Sequence, residues 1–90
     1  MTAQNQAQDS VSKPYQKHRD GALECAIWRR ETDKGVLYNT ELKRSYRDDQ
    51  GNWQSSHTIP DRDLLKAARL QEQAYGTIQQ ARAQDRARYV

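Results

Sequence analysis

Large apolar side chains are scarce in this sequence. There is no phenylalanine, and hydrophobic types make up 34% of the 90 residues. A chain this short buries little surface on folding, so its core must be thin. Association with a second copy is a common remedy for such a domain, and a dimer is expected on that ground. A single cysteine, Cys25, rules out an intrachain disulfide and fits a reducing, cytoplasmic setting. No apolar run approaches the ~20 residues of a membrane-spanning helix, and the N-terminus has no apolar stretch of the secretory kind.

Catalytic signatures are lacking too. His18 and His57 are far apart in the sequence, and no metal-ligand spacing is present. No Ser/His/Asp or Cys/His set is suggested, and no glycine-rich phosphate loop exists. A non-enzymatic protein without metal or cofactor is therefore expected. Asp48-Asp49-Gln50-Gly51-Asn52 has the acidic look of a Ca²⁺ loop but lacks the later bidentate glutamate, and its turn chemistry suits a hairpin better.

What is present is charge and pattern. Charged types reach 30%, with a formal net charge of +3. The positive excess is concentrated in residues 13–30 and 61–90. A basic balance of this kind favours phosphate or acidic partners.

Residues 1–12 are mostly Gln, Asn, Ser and Ala and cannot offset their ordering entropy by burial. Residues 13–20 (KPYQKHRD) follow as a basic stretch. Together, residues 1–20 read as a disordered or extended N-terminal arm, with room for one short strand before Gly21. From there a period of two begins. Leu23, Cys25 and Ile27 alternate with Glu24, Ala26 and Trp28, which predicts a strand with one apolar face. Thr32-Asp33-Lys34-Gly35 reads as a hairpin turn.

Residues 36–47 form the clearest strand, with Val36, Tyr38, Thr40, Leu42 and Tyr46 on one face and Leu37, Asn39, Glu41, Lys43, Ser45 and Arg47 on the other. A polar turn at 48–52 leads to a weaker third strand over 53–59. Pro60 ends it, and Asp61 is placed to cap a helix. Leu64, Ala67, Ala68, Ala74, Tyr75, Ile78 and Ala81 recur at helical spacing to about residue 84, and residues 85–90 read as a frayed tail. The expected fold class is α+β: a small antiparallel β-meander over 21–84 that closes with one C-terminal amphipathic helix.

This phasing groups the chemistry. If Leu23, Cys25 and Ile27 face the helix, then Trp28, Arg30, Lys43 and Arg47 share the open face, with Lys17 and Arg19 on the arm nearby. Aromatic rings among cations suit single-stranded nucleic acid, because bases stack on rings while cations follow phosphates. A solvated sheet face with Trp28 as a packing residue accounts for the same pattern, and Glu24 and Glu41 on that face count toward it. Arg44 and Tyr46 lie near the hairpin tip and add to the set. A helix from Asp61 to residue 84 would be about 36 Å long, more than a seven-residue strand covers, so Leu64, Ala68, Tyr75 and Ile78 are expected to meet a second copy.

The succession of Ile27-Trp28, Arg44-Ser45-Tyr46-Arg47, the tip at 48–53 and Asp63-Leu64-Leu65 opening a helix resembles the C-terminal domain of the transcriptional positive cofactor four family, and more loosely the Whirly group. The resemblance covers roughly residues 19–80. It implies a curved antiparallel sheet, pairing of two copies through their helices, and binding of single-stranded DNA by the sheets. By position it assigns Lys43, Arg44, Tyr46, Arg47 and Trp53 to the binding hairpin, and Trp28 and Arg30 more loosely. The family's Lys/Gly-rich lead into its last strand is absent here, and four strands are usual where three are evident. The expected function is a homodimeric single-stranded DNA-binding protein of transcription, replication or recombination. The alternative is a protein-interaction module that uses the sheet edge or the helix stripe.

Overall fold

The computed structural model describes residues 13–88. Strands β1 (Gln16–Asp20), β2 (Leu23–Thr32), β3 (Gly35–Arg47) and β4 (Trp53–Ser56) precede a 3₁₀ turn (Asp61–Asp63) and helix α1 (Leu64–Arg88). The sheet is an antiparallel meander in the order β1-β2-β3-β4. The α+β meander with a terminal helix is therefore the fold, with one more strand than the apolar pattern showed.

That extra strand corrects the N-terminal arm. Residues 16–20 pair along β2, from Gln16 with Ile27 to Asp20 with Leu23. The join is the two-residue loop Gly21-Ala22, in which Gly21 takes φ +60°, a conformation open to glycine at no steric cost. β1 shows no apolar alternation because it lies at an edge and holds on through its backbone. His18 is its main side-chain link to the helix, 2.9 Å from the Thr77 hydroxyl. The part of the expected arm at residues 1–12 lies outside the described residues.

The β2–β3 hairpin turns through Asp33-Lys34, and Gly35 takes φ +124°. The Thr32 hydroxyl donates to the Gly35 carbonyl at 2.7 Å and accepts from the Lys34 N–H at 3.1 Å. β4 stops at Ser56 rather than continuing to 59. There the chain leaves the sheet, the Ser56 hydroxyl accepts from the Thr58 N–H, and Ile59 packs against the core.

The core is one-sided. Leu23, Cys25 and Ile27 of β2 are fully buried against Ala67, Leu70 and Ala74 of α1, with Tyr38, Leu42, Ile59 and Ile78 at the margins. Small alanines let the helix approach the sheet closely, and burial pushes the Cys25 thiol pKa up. The buried helix stripe is Ala67, Leu70, Ala74 and Ala81, with Ile78 partly buried. Leu70 thus replaces three residues of the expected stripe: Leu64, Ala68 and Tyr75 are exposed.

Three further expectations are corrected. Asp61 does not cap the helix. The chain enters through the 3₁₀ turn with no side-chain cap, and Asp63 N–H donates to the Pro60 carbonyl. The helix does not outrun the sheet, because β3 has 13 residues and spans about 43 Å, against about 37 Å for the 25-residue helix. Nor does the helix fray at 85; it is regular to Arg88. Asp85 continues the buried stripe and accepts from the Arg29 guanidinium (2.7 Å) and the Tyr38 hydroxyl (2.6 Å). Arg29 also meets Glu31, and the Tyr38 ring lies beneath the guanidiniums of Arg82 and Arg29. These contacts clamp the end of the helix to the sheet. The Tyr38 and Arg29 bonds hold the Asp85 carboxyl below its ordinary value. No helix among the described residues is long and apolar enough to cross a membrane.

Two outcomes are expected. Ile27→Ala removes a fully buried side chain and should cost about 2–5 kcal/mol in urea unfolding, enough to leave a domain this small largely unfolded. Asp85 has a depressed pKa, so its contribution is present above the ordinary carboxylate value of 3.8 and lost as pH falls through the folded value. Asp85→Asn should therefore be less stable than the native chain near neutrality, and the gap should close in acid. A gap that stays constant down to about pH 2 would show that the charge is not what holds the helix end.

Candidate nucleic-acid interface

Cross-strand partners share a face, so the register locates each predicted residue. On the face away from α1, one row runs Arg19–Glu24–Lys43, the next Lys17–Ala26–Glu41, then Trp28–Asn39 and Arg30–Leu37. Toward the other end of β3, Arg47 pairs with Trp53. The structure therefore brings Lys17, Arg19, Trp28, Arg30, Lys43, Arg47 and Trp53 onto one face. It places Arg44 and Tyr46 on the opposite face, by their pairing with Leu23, Ser56 and Gln54.

The β3–β4 hairpin tip carries an arginine–aromatic pair on each face. The Arg47 guanidinium lies 5.1 Å from the Trp53 ring centroid on one, and Arg44 lies 5.3 Å from Tyr46 on the other. Trp53 is 66% exposed. A cation at this distance is attracted by the ring's quadrupole, which holds both groups ready for a third planar partner. Arg44 is further steadied by the Thr58 carbonyl, 3.4 Å from its Nε.

Asp48 builds the tip. Its carboxylate accepts from the backbone N–H groups of Asn52 (2.9 Å) and Gln50 (3.0 Å) and from the Gln54 amide (3.1 Å). The bond from Asn52 leads in holding its pKa below the ordinary value. The loop is thus a hairpin turn whose first carboxylate is consumed locally. Among the described residues no group of three or more His, Cys, Asp or Glu could hold a metal ion.

Electrostatically the open face sets Lys17, Arg19, Arg30, Lys43 and Arg47 against Glu24 and Glu41. Glu24 bonds Arg19 and lies 4.0 Å from Lys17, so part of the β1 charge is already matched. Glu41 lies 3.7 Å from the ring of His57. Among the described residues, Arg30, Lys43, Arg44 and Arg47 make no such ion pair. Trp28 is half-buried, about eight residues along β3 from the tip, a separation of about 26 Å. The face thus holds two aromatic–cationic ends with a partly neutralised middle.

The Arg29–Tyr38–Asp85 group was not foreseen. Its signal was present: Arg29 follows Ile27 in the apolar phase of β2, and Asp85 follows Ala81 in the buried phase of α1. Two opposite charges on facing apolar stripes point to a buried-edge pair. Of the expected dimer residues, Ile78 packs on its own core, whereas Leu64, Ala68 and Tyr75 lie exposed.

No protein-family model matches this chain, and no curated protein or solved structure matches it significantly.

The unequal exposure of the two tryptophans gives a direct check. Acrylamide should quench native fluorescence mainly through Trp53, and Trp53→Phe should leave a shielded emission from Trp28. Equal quenching of both rings would contradict this placement.

Proposed function

We propose that the chain binds single-stranded DNA through the open sheet face and the β3–β4 hairpin tip, as a homodimeric, non-catalytic protein of transcription, replication or recombination. The observation that carries this reading is the exposed Trp53 ring under Arg47, backed by Arg44 and Tyr46 on the other face of the same tip. Bases stack on such rings at about 1–3 kcal/mol each while guanidiniums meet the phosphates. Lys43 and Arg30 extend the cationic track, and Lys17 and Arg19 border it at β1. The resemblance to the positive cofactor four family supports the same reading, since that family is implied to use a four-stranded sheet with a terminal helix. A cytoplasmic setting goes with it, given one free, buried cysteine.

A protein-interaction module is the second reading. It is favoured by Leu65, which is 85% exposed on the outer helix face near Leu64.

Fluorescence anisotropy with a labelled single strand of about 20 nucleotides and its duplex, across a salt series, separates them. Preference for the single strand, with affinity falling steeply as salt rises, is expected. Lys43→Ala with Arg47→Ala should weaken binding and flatten the salt slope without unfolding. Trp53→Ala should weaken it by roughly 5- to 150-fold with the slope unchanged. Absence of binding at low salt would discard the reading and leave the protein-interaction one.

A further inference from the structure

The two acids in the middle of the open face are drawn to opposite sides of it. Glu24 of β2 is held toward β1, where Arg19 bonds it and Lys17 lies at 4.0 Å. Glu41 of β3 lies 3.7 Å from the ring of His57, on the β4 side. That ring is fixed in place by donating from Nδ1 to the Leu42 carbonyl at 2.9 Å. Lys43 is the cross-strand partner of Glu24 on the β3 side, yet among the described residues it pairs with no acid.

A lane along the β2–β3 seam is left between the two acids. Trp28 and Arg30 mark one end, beside Asn39 and Leu37. Lys43 stands midway, and Arg47 with Trp53 marks the other end. Four residues of β3 separate Asn39 from Lys43, and four more separate Lys43 from Arg47, about 13 Å in each case. A route across the strands is less favourable. The rows Arg19–Glu24–Lys43 and Lys17–Ala26–Glu41 each put a carboxylate in its path. At the tip only β3 and β4 are paired, so a crossing strand would leave the protein after about 10 Å.

We propose that single-stranded DNA lies lengthwise along β3, with one base stacked on Trp53 at the tip and another on Trp28 at the far end. Arg47, Lys43 and Arg30 meet its phosphates in turn. The inference rests on the DNA-binding reading above and narrows its substrate by length. The two rings are about 26 Å apart along β3. A stacked strand advances about 3.4 Å per nucleotide, so about eight nucleotides bridge them. A tetranucleotide spans about 10 Å, and doubled by full extension it still falls short. It engages one end only.

Covalent linkage is what brings the far end into play. Trp28 is half-buried and offers a free base little surface. Once Trp53 and Arg47 hold one part of a strand, the next part reaches Trp28 at high effective concentration.

The test compares tetrathymidylate with dodecathymidylate on the full chain at low salt. The longer strand should bind more tightly, but it also has more registers on any site, so the deciding variant is Trp28→Ala. That change should weaken the long strand roughly 5- to 150-fold and leave the short one unchanged. Trp53→Ala should weaken both. Should Trp28→Ala disturb the fold, Trp53→Phe supplies the second measurement, because Trp28 is then the only tryptophan. Its emission should change on saturation with the long strand and not with the short one. Equal losses for the two strands in Trp28→Ala overturn the lengthwise placement while leaving DNA binding intact. So does an unchanged affinity for the long strand, or a Trp28 emission that answers both strands or neither. Absence of binding by both strands overturns the placement together with the reading on which it rests.

Discussion

The packing of Leu23, Cys25 and Ile27 on Ala67, Leu70 and Ala74 is the contact on which the rest of the molecule depends. It is the one place where enough apolar surface meets to offset chain entropy in so small a domain. Because the core lies on a single face, the other face of the sheet has no structural duty. Cations and a half-buried tryptophan can occupy it without cost to folding. The same economy explains the 15 Å thickness of the molecule along its shortest axis, one sheet and one helix deep.

Beyond the core, polar contacts hold the extremities. Asp85 ties the last turns of the helix to Arg29 and Tyr38, and Asp48 organises the hairpin tip through three accepted hydrogen bonds. Each is an acid whose ionised form is stabilised by its neighbours. Helix α1 does not touch β4, Tyr46 and Trp53 are exposed, and an arginine–aromatic pair sits on each face of the tip. A ribbon with a ring on each face offers two separate stacking surfaces, which is why the proposed function centres there and not on the middle of the sheet, where Glu24 and Glu41 dilute the charge.

β3 has 13 residues, whereas β4 beside it has 4. A strand extended to support a long helix necessarily leaves backbone groups without a neighbour where the next strand is short. In a larger protein another strand or a loop would cover them. Here the chain turns away after Ser56 to start the helix, and among the described residues no strand pairs with the outer edge of the uncharged run from Val36 to Thr40.

The period-two alternation named Leu23, Cys25 and Ile27 of β2 as core, Tyr38 and Leu42 of β3 beside them, and two of the hairpins, while Thr40 and Tyr46 of the same β3 phase are exposed; burial on one face forces that pattern and a one-residue slip would invert it. Trp28, Arg30, Lys43 and Arg47 were legible on one face for the same reason. Other features could not be read that way. β1 is held by backbone pairing and one histidine, so its sequence carries no apolar signal. Which residues of α1 face the sheet depended on its entry angle after Pro60, and this chose Leu70 over Leu64 and Tyr75. The length of the helix was decided by Asp85 meeting Arg29 and Tyr38, residues 56 and 47 positions away. Local pattern therefore determined the strands and the sidedness of the sheet, since each residue's environment alternates with its neighbour's. Tertiary structure decided the edge strand, the helix face, the clamp at its end and the open edge of β3, since these arise from contacts between residues that no local period relates.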